Sequence, residues 1–406
     1  MLQMIPLERA RELMLSVIKP LEIINMSLTE AQGMALAEDV TAPHPLPPFD
    51  RSPLDGYALR ASDTAGAGPE HPAALAVTET IHAGHVAGGK VEPGTAMGIM
   101  TGAPIPPGAD CVIRFEDTRR EGDRVLVFTP LKPGQNIVRA GEDVRQNERV
   151  LAAGTTIDAG VIGLLAALGR TTVTVHRRPQ VFLFSTGDEL SKPDTPLAPG
   201  KIYDSNAPAI AAQVREAGGT PVVAPSCPDD REAIARSIGR GLEMGDLVIS
   251  TGGVSVGERD VVKDAMVRAG VEPLFWRAGF KPGTPVVCGH REGRLVVGLS
   301  GNPAAAMISF TLLVRPVLLR LGGHRQIFLP RVQARMAEAF PKGGKQRRFV
   351  RAVVWWQDGY LARPAGLQSP GALRSLVEGN ALIDVPAGHG PLKEGEMVEA
   401  ILLTHI

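Results

Sequence analysis

The sequence is short of cysteine, aromatic residues, net charge and long apolar runs, and each shortage excludes a class of protein. Three cysteines in 406 residues, Cys111, Cys227 and Cys288, are too few and too scattered for a disulfide framework or a C-x-x-C metal site, which fits a reducing cytosol. Aromatic residues make up only 4%, so platforms for stacked bases are scarce. Lys and Arg total 43 against 43 Asp and Glu, leaving no basic excess to displace counterions from a polyanion; nucleic acid is not expected as a partner. No uninterrupted run of 18 apolar residues occurs, the most apolar stretches being short ones such as Val161 to Leu168, and Glu8, Arg9, Arg11 and Glu12 break any signal-peptide core. A cytoplasmic protein without a membrane span is expected.

Glycine (46) and proline (34) are plentiful and spread along the chain, which predicts many short elements joined by turns. The length suggests about two to four domains. Helical spacing of Leu7, Ala10, Met14, Val17 and Ile18, and a Ser27/Glu30 capping box, predict two helices at the start. Pro43, Pro45, Pro47 and Pro48 then force extended backbone. From about 50 to 143 the text is β-like, with runs such as Ala74 to Val77 and Val125 to Phe128, and helical text resumes at Ala159 to Leu168. The expected domains are therefore a helical domain from 1–49 and 144–176, an inserted β domain at 50–143, an α/β domain at 177–326 and a small β domain at 327–406.

Within 177–326, apolar runs at Val181 to Ser185, Thr220 to Ala224, Asp246 to Ser250 and Leu295 to Leu299 alternate with helical segments, the signature of a doubly wound parallel sheet. Three runs end in similar loops: Ser185-Thr186-Gly187-Asp188-Glu189, Ser250 to Gly257 with Gly252, Gly253 and Ser255, and Ser300-Gly301-Asn302-Pro303. Such loops lie beyond the carboxyl ends of the strands, where glycine admits backbone N–H groups to an anion and a helix N-terminus favours negative charge. Asp188, Glu189, Asp229, Asp230, Glu258 and Asp260 are oxygen donors of the kind that hold Mg²⁺ beside a phosphate. Asp229 with Glu232 also reads as a capping box. Arg277, Lys281 and Lys263 offer cations, Lys281 in the stiff segment Phe280-Lys281-Pro282-Gly283-Thr284-Pro285. Polar knots at Asp50 to Ala58, Met100 to Pro104 and Gly141 to Asp143 interrupt the β region. Seven basic residues against one acid over 331 to 351 mark a solvated face or a docking surface.

Taken in order, SPLDGYA (Ser52 to Ala58), MTGAPIPPGAD (Met100 to Asp110), Gly141 to Asp143, STGDEL (Ser185 to Leu190), IYDSN (Ile202 to Asn206), STGGVSVGERD (Ser250 to Asp260), Lys281 to Pro285 and Gly301 to Pro303 resemble the molybdenum insertases of MoeA type, the molybdopterin molybdenumtransferases, and the gephyrin E domain. The resemblance implies a multidomain α/β plus β fold: a doubly wound, MogA-like molybdopterin-binding domain with a helical N-terminal domain, an inserted β domain and a C-terminal small β-barrel-like domain. It implies a homodimer that inserts molybdate into adenylylated molybdopterin and releases AMP with Mg²⁺, dealing with a molybdopterin adenylyltransferase and with molybdoenzyme clients or their chaperones. Carried over by motif, Asp55, Glu189, Asp260 and Lys281 are catalytic. Thr101, Asp143, Thr186, Gly187, Asp188, Ser250, Gly252, Gly253, Ser255, Arg277, Gly301, Asn302 and Pro303 bind the cofactor precursor, and Glu189, Asp229 and Asp260 hold metal. Asp55, Thr101 and Asp143 face the α/β domain of the other subunit. The family commonly has lysine where Arg277 and Thr284 stand and proline where Ser300 stands, departures that bear on the choice between molybdate and tungstate. A molybdopterin adenylyltransferase-type nucleotide-binding enzyme, or a non-catalytic protein that hands over cofactor, are the alternative functions.

Overall fold

The computed structural model describes residues 2–191, 193–254 and 261–404. The chain divides into two compact units: residues 1–38, 153–161 and 172–406 form one, and residues 39–152 with 162–171 form the other.

The first unit is built on a seven-stranded sheet of β1 (Leu2–Ile5), β2 (Gln180–Ser185), β3 (Thr220–Val223), β4 (Leu247–Thr251), β5 (Glu272–Ala278), β6 (Val287–Arg291) and β7 (Arg294–Leu299), in the spatial order β1-β5-β6-β7-β4-β2-β3. Strands buried on both faces need apolar residues at every position, and β2 shows why. Val181 and Leu183 join one hydrophobic cluster with Ile210, Val214 and Leu318, while Phe182 and Phe184 join another with Ile234, Ile238 and Met266. The first face is covered by α1 (Leu7–Ser16), α2 (Asn206–Glu216) and α5 (Pro303–Leu321), the second by α3 (Arg231–Met244) and α4 (Val261–Arg268). The sheet departs from the expected all-parallel order at β6, which runs antiparallel to both neighbours and joins β7 through a tight hairpin at Glu292-Gly293. Both residues there have positive φ, 52° and 81°, as a primed turn requires.

Of the two helices expected at the start of the chain the first is present, preceded by a strand, and the second is not. Leu2–Ile5 pairs in parallel with β5, and α1 buries Leu7, Ala10 and Met14 in the core of the α/β layer. No helix follows Ser27: its hydroxyl bonds the Glu30 carboxylate at 2.5 Å and Ala31 N returns to Ser27 O, but this is one turn only. Gly33, at φ 77°, then diverts the backbone to bond Ile157 O, and Leu36 bonds Thr155 O. Long-range backbone pairing has overridden the local capping signal. The residues before it, Ile23–Ser27, pair with Thr172–His176, and the helix expected near 159 is present at Ala159–Ala167.

The longest apolar segment is α5, 19 residues with a mean hydropathy of 1.7, of which 78% of the window is buried inside the protein; it is a core helix. Its middle turn, Phe310–Val314, is a π-helix. Pro316 has no N–H to offer the carbonyl of Leu312 four residues earlier, and Arg11 Nε donates to that carbonyl at 2.7 Å.

The C-terminal barrel has five strands, Arg347–Trp356, Tyr360–Pro364, Arg331–Met336, Met397–Leu402 and Ala381–Val385, and closes by pairing the last with the first. Phe280–Lys281, just after β5, adds to it in parallel, with Lys281 opposite Arg348. The basic run at 331 to 351 is a solvated face only in part: Arg335, Lys342 and Lys345 are exposed, but Arg331 and Arg347 converge on buried Asp384, and Arg351 is 1% exposed.

Buried His324 follows Gly322-Gly323 with Nδ1 2.9 Å from Thr156 Oγ1. Burial, then the charges of Arg315, Arg178 and His176, push its pKa down to about 4 from 6.5. A depressed histidine is neutral when folded, so its contribution is fully present above 6.5 and is lost as pH falls from 6.5 through 4, by up to about 3 kcal/mol. Thermal melts between pH 7 and 4.5 should therefore show a steeper fall in Tm for the wild type than for His324→Gln; parallel curves would contradict this.

The second unit holds a six-stranded sheet in the order Cys111–Arg114, Gly56–Leu59, Thr95–Ile99, Ala73–Ile81, Arg124–Val127 and Thr118–Glu121, around a core that includes Tyr57, Leu59, Ile113 and Val125.

Candidate active site

The carboxyl ends of β2, β4, β7 and β5 point the same way, and the register aligns Phe184, Ser250, Gly298, Val287 and Trp276 in one transverse row. The loops after these strands therefore lie along one edge. From β4 to β5 there are three strand spacings, about 14 Å, enough for an extended phosphorylated ligand.

The first loop is stitched to the second. Ser185 Oγ lies 2.9 Å from Thr251 Oγ1, and Thr186 N donates to Thr251 O. Gly252, at φ 93°, passes so close to Thr186 that a Cβ would sit 2.1 Å from its carbonyl oxygen, so no side chain fits here. Gly252 N in turn donates to Leu299 O, and Gly301 packs against Gly252. Ser250 Oγ is buried without a partner among the described residues.

Asp229 is not the helix cap. That role belongs to Asp230, whose carboxylate accepts from Ala233 N, while Asp229 Oδ1 accepts from Thr186 Oγ1 at 2.8 Å. Asp188 Oδ1 accepts from Asp229 N, and the Glu189 carboxylate folds back over Gly187. Asp188, Glu189 and Asp229 are thus gathered at the end of β2, all exposed. Among the described residues no cluster of three His, Cys, Asp or Glu has metal-site geometry. Ser255 and Asp260 lie outside the described residues.

The third loop corrects the expectation of an anion at the start of α5. Pro303 has no N–H, and the amides of Ala304 and Ala305 both donate to Pro370 O. Asn302 caps the helix by backbone alone, its side chain making no cap bond. Ser300, in place of proline, accepts from Asn302 N. Asn206, in the IYDSN motif, donates to Gly301 O and leaves Oδ1 buried and unpaired, while Asp204 caps α2. The motif was visible, yet a site role for Asn206 could be seen only once α2 was placed beside Gly301.

Around Lys281 the structure adds groups absent from the expected site. Gly283, at φ 114°, approaches α5 so closely that a Cβ would lie 2.2 Å from Ser309 Oγ. Thr284 turns its hydroxyl to Phe280 O at 2.6 Å. Arg348 faces Lys281 across the strand pair. Arg351 Nη2 donates to Leu367 O and Ser369 O, next to the Pro370 that caps α5. Ser309 Oγ, Arg348 Nε, Arg351 Nε and Arg351 Nη1 are all buried without partners among the described residues. The basic run at 331 to 351 was the sequence signal for the two arginines; Ser309 had none.

In the second unit, Asp55 Oδ1 accepts from Thr101 N at 2.6 Å and Thr101 Oγ1 at 2.8 Å, and these bonds hold the carboxyl below its usual range. The three polar knots meet: Ser52 bonds Ala103, Asp50 bonds Arg139 and Ala140, and Gly141 bonds Pro47 O. Asp143 is exposed beside this seam. No thiol is poised for attack, since burial pushes Cys111 up to about 12 and raises Cys288 and Cys227 as well.

The chain matches three family models in succession: the MoeA N-terminal region (domains I and II) over residues 5–169, a probable molybdopterin-binding domain over 182–320, and the MoeA C-terminal region (domain IV) over 333–403. With the strand-end loops and the barrel, these define a multidomain enzyme built round a molybdopterin-binding-type α/β domain. It is 38% identical over 383 residues to the molybdopterin molybdenumtransferase of Bacillus subtilis, covering 93% of this chain and 89% of that one. It is 40% identical to molybdopterin molybdenumtransferase 2 of Mycobacterium tuberculosis, covering 89% and 91%. The crystal structure of the molybdopterin biosynthesis MoeA protein from Pyrococcus horikoshii superposes with a TM-score of 0.85 at 32% identity, over 98% of this chain and 100% of that one. The chain belongs to the molybdopterin molybdenumtransferase family, the MoeA proteins, and with them to the transferases of molybdenum cofactor biosynthesis.

Proposed function

We propose that this protein inserts molybdate into adenylylated molybdopterin and releases AMP, with Mg²⁺ bound, as a cytoplasmic homodimer. The observation that carries the reading is Arg348, opposite Lys281 with its Nε buried and unpaired among the described residues, together with the unpaired Ser309 Oγ against Gly283, two residues beyond Lys281. A guanidinium with a buried, open N–H beside an ammonium suits a tetrahedral dianion, and pre-aimed donors stabilise charge without reorganising when ligands exchange.

Asp188, Glu189 and Asp229 offer oxygen-only, solvent-facing donors of the kind Mg²⁺ takes, since it keeps several waters and shares phosphate oxygens, although the three do not by themselves form a metal-site cluster. Those residues would hold the ion with Asp260, and bound Mg²⁺ would neutralise charge at the pyrophosphate bond. Thr186 orients Asp229, and Gly252 lets the second loop pass close to the first beside these carboxylates. Arg277 would meet the phosphate and Lys281 the oxyanion. Asp55, Thr101 and Asp143, exposed on their own unit, would reach the α/β domain of the second subunit. A molybdopterin adenylyltransferase would supply the substrate, and molybdoenzymes or their chaperones would receive the product.

Purified protein incubated with adenylylated molybdopterin, molybdate and Mg²⁺ should release AMP and yield mature cofactor. Neither product, or consumption of ATP with free molybdopterin instead, would sink the proposal.

A further inference from the structure

Trp276 sits at the carboxyl edge, half-buried against the cluster that contains Val254 and Val262, with its indole nitrogen unpaired among the described residues. Two cations share its ring: Lys263 Nζ lies 4.5 Å from the centroid and Arg277 Cζ also 4.5 Å. Both are therefore within 9 Å of each other, and neither has a carboxylate partner among the described residues. Consecutive strand residues normally point to opposite faces. Arg277 instead has φ 70°, a left-handed conformation costly for a non-glycine residue, and lies over the ring of the residue before it. Its amide is held to Val286 O at 2.7 Å. Strain of this kind persists where the surrounding structure enforces a functional geometry. α4, which carries Lys263, covers the sheet face opposite to α5, whose Ser309 adjoins the Lys281 segment.

We infer that Lys263, Trp276 and Arg277 form a second anion subsite, separate from the one at Lys281, Arg348 and Arg351, and that it takes a phosphate monoester. Trp276 is its positioning residue: attraction to the ring face holds two like charges near one another until a phosphate dianion offsets them. The inference rests on the proposed function in placing a phosphorylated substrate along this edge.

The test uses the full chain with Trp355 and Trp356 changed to Phe, so that Trp276 is the remaining indole. Titration with AMP, and separately with pyrophosphate, should give a saturable change in its emission. Lys263→Gln or Arg277→Gln should weaken that binding about tenfold, whereas Lys281→Ala should leave it within about twofold. In the chain that keeps all three tryptophans, equilibrium dialysis of AMP should show Trp276→Phe close to wild type and Trp276→Leu weakened like the cation variants, which would also hold should the double variant fail to fold. No saturable response in a folded protein, or equal weakening by Lys281→Ala, would overturn the subsite. If the wild type releases AMP from the adenylylated substrate but the Lys263 and Arg277 variants bind AMP normally, the subsite fails and the proposed function stands. If AMP release is absent while the binding pattern holds, the function fails and the subsite stands.

Discussion

Arg351→Met should lower turnover with molybdate by about 100-fold or more while leaving Tm unchanged or raised. The guanidinium is 1% exposed, donates only from Nη2, and has Nε and Nη1 unpaired among the described residues. Burial pushes its pKa down, the mark of a charge whose solvation has been taken away. An uncompensated buried cation costs several kcal/mol, and an apolar side chain of similar length removes that cost. The backbone of Arg351 itself does not depend on the charge, since its N and O are held by the Gln368 side chain at 3.0 and 2.9 Å. AMP release measured across molybdate concentrations, together with thermal unfolding, checks this. A structural arginine would show the opposite, with Tm and activity falling together. Arg351→Lys should recover only part of the activity, because an ammonium keeps the charge but not the fork.

Asp384→Ala should cost about 3–5 kcal/mol, the largest stability loss expected of a single polar substitution in the barrel. Its carboxylate is 7% exposed and receives Arg347 Nε at 2.7 Å, Arg347 Nη2 at 2.5 Å and Arg331 Nη1 at 3.2 Å. The hydrogen bonds to Asp384 raise the pKa of Arg347, although burial opposes them. Arg347 also reaches Glu8 on α1 at 2.5 Å and lies over Phe349, so the network joins the barrel to the α/β layer. Without Asp384, two partly buried arginines lose their shared counter-ion. Glu8 is 56% exposed, and Glu8→Ala should cost no more than about 1 kcal/mol. Denaturant unfolding of both variants decides the matter: a loss below about 1 kcal/mol for Asp384→Ala would mean that water replaces the carboxylate.

Much of the fold was legible because it depends on local pattern. The apolar runs that became β2, β4 and β7 were visible, since strands buried on both faces need apolar residues at every position, and the half-exposed edge strand β3 showed through Val222 and Val223. β1, β5 and β6 were not, because Leu2–Ile5 is too short to read and β5 carries Glu272, Pro273 and Arg277. The helix expected after Ser27 failed for the converse reason: Ser27 and Glu30 bond each other's side chains, not the helix amides, and backbone pairing at Gly33 and Leu36 took the chain elsewhere.

By itself the sequence determined the strand-end loops, the glycines that let them approach, the stiff segment around Lys281 and the family to which the whole belongs. These are properties of neighbouring residues, and spacing along the chain encodes them. Only the tertiary structure decided which charges are available. It turned Asp229 away from the helix and onto Thr186, filled the N-terminus of α5 with Pro370, paired Arg331 and Arg347 with Asp384, and left Arg348, Arg351 and Ser309 with open donors. Whether a charged group meets a partner depends on residues far away in sequence. Burial then makes the difference between a solvated arginine and one that requires an anion.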